Sequence, residues 1–219
     1  MRISANTLQI TALVIAALLL VFAVPAVFQL SALVDLTLFI GMAILALSLA
    51  LVWGCGGILC FGQSAFFGLG AYAYAVAVIN IGESTFPILI AIIVPMLLAA
   101  VLGYFMFWGR VSDVYLAVIT LAVSLVFYYL IGASAGGDYK IGKALLGGYN
   151  GMPGVPSINV PGDPAALIEF DALYTPAAVL LILVYAGLRL LLASDFGRGV
   201  IAIRENVVRA ELLGYDARR

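Results

Sequence analysis

Long apolar stretches separated by short polar breaks make up most of the 219-residue chain. A helix needs about 20 consecutive apolar residues to cross a bilayer core. The pattern therefore predicts an all-α, polytopic membrane protein with about six spans. The predicted spans are about 8–30, 32–53, 58–80, 86–108, 114–134 and 173–193. The first apolar run continues past Val27, which is typical of an uncleaved span and not of a signal peptide.

The third predicted span is rich in glycine and is therefore a candidate for a broken or re-entrant helix. Gln63 and Ser64 lie in it at membrane depth, where polar groups need a partner or water. Ser64 and Gly68 form a small-xxx-small pair that allows helices to approach closely. One interpretation is tight helix packing; the other is a translocation path that this span lines. The candidate path residues are Gln63, Ser64, Phe66, Phe67 and Tyr72.

Composition narrows the function classes. Hydrophobic residues make up 65% of the chain and charged residues 10%, and the net charge of −1 argues against nucleic-acid binding. Residues 36–82, 84–109 and 114–137 carry no charge, which disfavours an ion-coupled carrier. Histidine is absent and there is no phosphate-binding loop, so neither an enzyme nor an ATPase is indicated. Cys55 and Cys60 are expected to be small apolar core residues.

The placement of Lys and Arg predicts the orientation. With six spans and an internal N-terminus, eight of the ten basic residues lie on the cytoplasmic side, and only Lys140 and Lys143 lie outside. Both termini are therefore predicted to be cytoplasmic. The loop of about 135–172 is then external, and its Gly, Pro and Asn residues favour turns. It is either a poorly ordered connector or a folded lid or docking surface for an external partner.

The charged segment Ser194–Arg219 leaves the last apolar span directly. Gly197 and Gly199 are expected to interrupt that span, and a short helix is predicted from about Val200 to Leu213. Gly214 would end this helix in the left-handed conformation.

A helical projection of this segment places two charges within its apolar half. The members of that half are Val200, Ile201, Ile203, Arg204, Val207, Val208, Glu211 and Leu212. Glu205 and Arg209 are four apart in the favourable order for an ion pair. A helix lying on lipid keeps its apolar face free of charge. The mixture therefore favours docking into a groove of another protein.

Three blocks of the chain resemble permease subunits of branched-chain amino acid ABC importers, of the LivM type. The block FGRGVIAIRENVVRAELLGYD is similar to the family's "GR…AIRENE.RAE.LG" coupling motif. The block LALVWGCGGILCFGQSAFFGLGAYAYA is similar to its "G.G.LSLGHAAFFGIGAY" span. The pair VYLAVITLA and GGYNG is similar to "YFAIVTLA … TGGTNG". The resemblance implies a transmembrane permease domain over 1–193 and a cytoplasmic coupling segment over 194–219.

The chain departs from this pattern at three places. Gln63 stands where the family often has His, Cys60 where Ser is common, and Leu146 precedes Gly147 and Gly148 where Thr is usual. Permeases for urea and short amides share the same blocks. Family members usually continue with further helices, so we expect the chain to be truncated relative to them.

The resemblance implies a subunit of an ATP-driven importer in the bacterial inner membrane. Its partners would be ABC ATPase subunits, a second permease, an external solute-binding protein and membrane lipid. The chain would bind no cofactor, and the partner subunits would hydrolyse ATP. The implied ATPase-coupling residues are Gly197, Arg198, Arg204, Glu205, Arg209, Ala210, Glu211 and Gly214. The alternative is a passive channel or a structural subunit of a membrane complex.

Overall fold

The computed structural model describes residues 15, 17, 19, 21–109, 111–163, 165–169 and 172–215. Its described part contains five helices long and apolar enough to cross a membrane. The first predicted span, 8–30, falls partly outside the described residues; 15, 17, 19 and 21–27 are helical and form the described part of α1. The helices that follow are α2 (Leu30–Leu49), α3 (Gln63–Ile81), α4 (Thr85–Trp108), α5 (Asp113–Ala133), α6 (Tyr174–Ala193), α7 (Asp195–Glu205) and α8 (Val207–Leu212).

The prediction of an all-α, polytopic protein is confirmed, and four predicted spans agree with their helices to within a few residues. The third span differs. Its helix begins at Gln63 and not near residue 58, and it continues unbroken to Ile81. The preceding residues 56–62, here called the glycine segment, are not helical. Ahead of them, α2 ends in a π-helical turn, Ala50–Cys55.

The packing between α3 and α4 is the most extensive in the described chain. It is close at Gly70, where an added Cβ would lie 3.0 Å from the carbonyl oxygen of Ala91. Pro95 lies four residues after Ala91 in α4 and has no N–H to donate to that carbonyl. Because Gly70 has no side chain, α3 can approach α4 closely at the carbonyl of Ala91, which receives no hydrogen bond from Pro95.

A smaller apolar cluster joins α1, α2 and α6. Its buried members are Val21, Leu33, Tyr174 and Ala178. Elsewhere the spans expose large apolar side chains. In α4, no residue between Pro87 and Met106 is buried within the chain. Such surfaces are costly in water and favourable against lipid or another apolar subunit.

The described spans place their connections at two ends. The loop end carries the α3–α4 turn and the described residues of the α5–α6 loop, 135–163, 165–169 and 172–173. The segment end carries the glycine segment, the α4–α5 turn and α7–α8. Trp53, Tyr104, Trp108 and Tyr115 are exposed near the segment end, where such aromatic rings mark a membrane interface.

The long loop at the loop end is folded in its described part and is not a loose connector. A two-residue turn joins β1 (Lys140–Ile141) to β2 (Ala144–Leu145), and a single 3-10 turn follows at Gly148–Asn150. Asn80, at the end of α3, donates to the carbonyl of Ile141 and accepts from the N–H of Lys143. The hairpin is thereby fixed to α3.

A second attachment joins the loop to the start of α4. The side-chain oxygen of Asn159 accepts from the N–H of Ser84 at 2.8 Å, and the N–H of Asn159 donates to Oγ of Ser84 at 3.2 Å. Both residues are buried, and the hydroxyl of Tyr74 lies 3.1 Å from Oγ of Ser84. Reciprocal bonds between buried groups make this the firmest attachment of the loop.

We predict that Asn159→Ala will destabilise the folded protein, because it leaves the N–H of Ser84 buried without a partner. The free energy of unfolding should fall by about 1–3 kcal/mol. Each kcal/mol lost should lower the melting temperature by roughly 2–4 °C. The measurement is thermal unfolding of the detergent-solubilised chain. Ser157→Ala, in the exposed part of the same loop, is the control and should leave the melting temperature unchanged. An unchanged melting temperature for Asn159→Ala would contradict this account of the loop.

Candidate functional site

One face of α3 lines a groove of about 740 Å³ between α3 and α5. Residues four apart share a face of a helix, and this face is formed by Ser64, Gly68, Tyr72, Val76 and Asn80. It extends over most of α3, or about 24 Å at 1.5 Å per residue. The facing residues of α5 are Ser124, Phe127, Tyr128 and Ile131. Ile141 and Leu146 of the folded loop cover the loop end of the groove.

The groove is largely apolar, with polar groups at separate levels. Ser64 and Ser124 lie toward its segment end, and Asn80 lies at its loop end. The side chains of Tyr72 and Tyr128 line it between these levels. Such a lining can accommodate an aliphatic group while offering hydrogen bonds to a polar one.

The structure divides the predicted path residues between opposite faces of α3. Ser64 and Tyr72 line the groove. Phe66 and Phe67 line a second cavity, of about 820 Å³, between α3, α4 and the loop; Tyr72 borders both. Gln63 lies in neither, and its Oε1 accepts a bond from Oγ of Ser48 at 3.1 Å. This side-chain bond joins α3 to α2, as tight packing would require, and a place for Gln63 on the path stays a prediction.

Sequence reasoning missed Ser124, Tyr128 and Asn80. A signal was available for Ser124, because Thr120 and Ser124 are hydroxyl residues four apart in an otherwise apolar span. Asn80 carried no comparable signal, since its partners lie 61 to 63 residues away.

Two hydroxyls of α5 hold the glycine segment beside the groove. The N–H of Phe61 donates to Oγ1 of Thr120 at 3.1 Å, and Oγ of Ser124 donates to the carbonyl of Phe61 at 3.2 Å. A Cβ at Gly62 would lie 3.2 Å from Cβ of Thr120, so only glycine permits this approach without displacement. The non-helical chain therefore has both polar groups of Phe61 satisfied by α5.

The coupling segment forms two helices where one was predicted. The interruption after α6 falls at Ser194, whose side chain accepts from the N–H of Gly197 and caps α7. Gly197 and Gly199 lie inside α7, so the expectation that they interrupt the span is wrong. Gly197 is buried against the end of α6, where a Cβ would lie 2.5 Å from the carbonyl oxygen of Leu192 and 2.6 Å from that of Leu191.

The second break, at Asn206, corrects two further predictions. Asn206 is extended, and its side chain accepts from the N–H of Arg209, so it caps α8. Glu205 and Arg209 thus belong to different helices, and the single helical projection across 200–213 does not hold. The described residues contain one ion pair, between Asp195 and Arg198.

The end of α8 follows the predicted form. Gly214 is left-handed, with φ of +91°. The N–H of Tyr215 donates to the carbonyl of Ala210 and that of Gly214 to the carbonyl of Glu211, which is a Schellman motif. Ala210 is buried, and the ring of Tyr215 lies against Gly199. The two short helices are therefore packed into one unit, residues 195–215, here called the coupling unit.

The coupling unit packs against the membrane domain through Arg204. Its Nη1 donates to the carbonyl oxygen of Gly54 at 2.6 Å. Glu211 lines a shared cavity of about 670 Å³ with Arg204, the glycine segment and the start of α5. The two charges of the projected apolar half therefore border one cavity within this chain. On its outer side the unit exposes Leu212 (83%) and Leu213 (77%).

Neither cysteine is in a disulfide, and both are half-buried. Within the described ranges, no three His, Cys, Asp or Glu side chains lie close enough together to hold a metal ion.

Comparison with known proteins identifies the family. The family model described as branched-chain amino acid transport system, permease component, matches residues 31–219. No curated protein and no solved structure matches the chain. The match includes every span described here from α2 onward, together with the coupling unit. The chain is therefore a multi-pass membrane protein that belongs to the family of branched-chain amino acid transport permease components.

Proposed function

We propose that this chain is the transmembrane permease subunit of an ATP-driven importer for branched-chain amino acids or similar small polar solutes. The proposal rests on how the coupling unit is attached and on which side chains it exposes. It is attached to the membrane domain by Arg204, yet it exposes Leu212 and Leu213 outside the spans. Apolar side chains so exposed on a charged segment favour a protein partner.

The partner at the segment end is an ABC ATPase, which supplies the nucleotide site that the chain's sequence lacks. The segment end is then cytoplasmic, as are both termini, and the protein resides in the inner membrane. The loop end receives an external solute-binding protein, for which the doubly attached loop is a firm surface. A second permease and lipid cover the exposed apolar faces of the spans.

The groove between α3 and α5 is the translocation path in this proposal. Its apolar wall suits an aliphatic side chain, and its hydroxyl and amide groups suit the polar part of the solute. Closure of the ATPase subunits moves the coupling unit as a rigid body, and this motion opens the path by alternating access.

We predict that Leu212→Glu will abolish association with the ATPase, because it places a charge at the centre of an apolar contact. The tagged chain is purified from its source cells in mild detergent. Bound protein is identified by mass spectrometry, and ATP hydrolysis is measured in the eluate. The matched control is Leu167→Glu, an equally polar change at a residue 61% exposed at the loop end.

Wild type and Leu167→Glu should both retain a phosphate-loop ATPase, and Leu212→Glu should lose it. Uptake that is independent of any ATPase would instead support the passive channel.

We predict that Gly68→Leu will block uptake without unfolding the protein. No atom lies within 4 Å of a Cβ at Gly68, so the new side chain extends into the groove without a clash. ATP-dependent uptake of radiolabelled leucine, valine and urea is measured in inverted or right-side-out vesicles of known orientation. Gly187→Leu on α6, which also has open space around its Cβ, is the control. Equal uptake by the two variants would exclude this groove as the path.

A further inference from the structure

We infer that Arg204 is a positioning residue that joins the coupling unit to the glycine segment, and is not part of the surface that binds the ATPase. The inference rests on the proposed function for its consequence in transport. Its geometry is independent of any partner.

Arg204 binds the end of the helix that precedes the glycine segment. Gly54, whose carbonyl oxygen it contacts at 2.6 Å, lies in the π-helical turn that ends α2, 150 residues earlier in the chain. The last carbonyls of a helix lack partners within it and carry partial negative charge. A guanidinium is well suited to this position because it is always charged and donates in a fixed geometry.

The aliphatic part of Arg204 makes a second contact. Gly57 has φ of +75°, and a Cβ there would lie 2.8 Å from Cγ of Arg204. Glycine is therefore required at this position both for its backbone conformation and for the closeness of the arginine. Arg204 thus contacts the chain at Gly54 and at Gly57, on both sides of the point where helical structure ends.

From Gly57 the chain leads directly to the groove. Four residues later, Phe61 is bonded to Thr120 and Ser124 of α5, and Ser124 lines the groove. The glycine segment therefore connects the contact with Arg204 to one wall of the proposed path.

The π-helical turn is the part of this connection whose bonding departs from the α-helix. The N–H of Gly56 bonds to the carbonyl of Leu51, that of Gly57 to Trp53 and that of Ile58 to Val52, so the bonds span five, four and six residues. The competing state is ordinary α-helical bonding, which would rotate the residues that follow. Arg204, by binding Gly54, favours the π-helical state. A displacement of α7 releases that preference and moves the glycine segment.

The other arginines of the coupling unit do not make this connection. Arg198 pairs with Asp195 and donates to the carbonyl of Ala193, so its contacts stay at the start of the unit. Arg209 on α8 and Arg204 on α7 are both exposed, but only Arg204 donates to the carbonyl of Gly54. Arg209→Ala is therefore a matched control for Arg204→Ala.

The chain's two cysteines provide the probe. With Cys60→Ser in the background, Cys55 in the π-helical turn is the only thiol of the protein. The purified chain in nanodiscs, without any partner, is reacted with N-ethylmaleimide and the labelling rate is followed by mass spectrometry. Arg204→Ala should raise the labelling rate about tenfold, because the loss of one hydrogen bond from a charged group makes opening of the turn easier by about that factor. Arg204→Lys should rescue part of the protection, and Arg209→Ala should change nothing.

Equal labelling rates for Arg204→Ala and Arg209→Ala would overturn the inference. A second measurement separates it from the proposed function. In the purified importer, Arg204→Ala should retain the ATPase but lose the dependence of hydrolysis on substrate. Loss of the ATPase itself from this variant would show that Arg204 is a docking residue. Failure of Leu212→Glu to release the ATPase would contradict the proposed function and leave the labelling result intact.

Discussion

A chain that leaves helical structure loses the bonds that satisfy its backbone, and in the glycine segment other elements supply part of what is lost. Helical bonding ends after Cys55 and resumes at Gln63. Over that interval the two hydroxyls of α5 bond to Phe61, and Arg204 bonds to the carbonyl just before it. Where α3 begins, how closely α5 approaches, and where α7 is anchored all follow from these bonds.

The same constraint links the two functional regions. The α3–α5 groove lies on one side of the glycine segment, and the coupling unit contacts the other. In the proposed importer, movement at the cytoplasmic surface has to change the path across the membrane. A short non-helical segment fixed at both ends is suited to that task, because it can move without breaking the packing of α3 against α4.

The sequence predicts the spans well because their length and apolar character are dictated by the bilayer. It predicts the interruptions less well. The predicted start of α3 is five residues early, because the run 58–62 is as apolar as the helix that follows, and only Gly62 within it and Gly56 and Gly57 before it indicate the break. The break at Asn206 was missed, although Asn is a common helix-capping residue, because the apolar pattern continues across it. The Ser84–Asn159 and Gly54–Arg204 contacts join residues 75 and 150 positions apart, and nothing local to either residue encodes the pairing.

Hydrogen–deuterium exchange in nanodiscs tests most directly whether the side chains of α5 hold the glycine segment in place. The comparison is between wild type, Thr120→Val and Thr37→Val. The hydroxyl of Thr37 donates to the carbonyl of Leu33 in its own helix, so this bond, unlike that of Thr120, does not reach the glycine segment. The account predicts that Thr120→Val raises the exchange rate of the peptide containing Phe61 by roughly two- to tenfold, the scale of one net hydrogen bond. Thr37→Val should leave that peptide unchanged. Identical exchange of the Phe61 peptide in all three proteins would contradict the account.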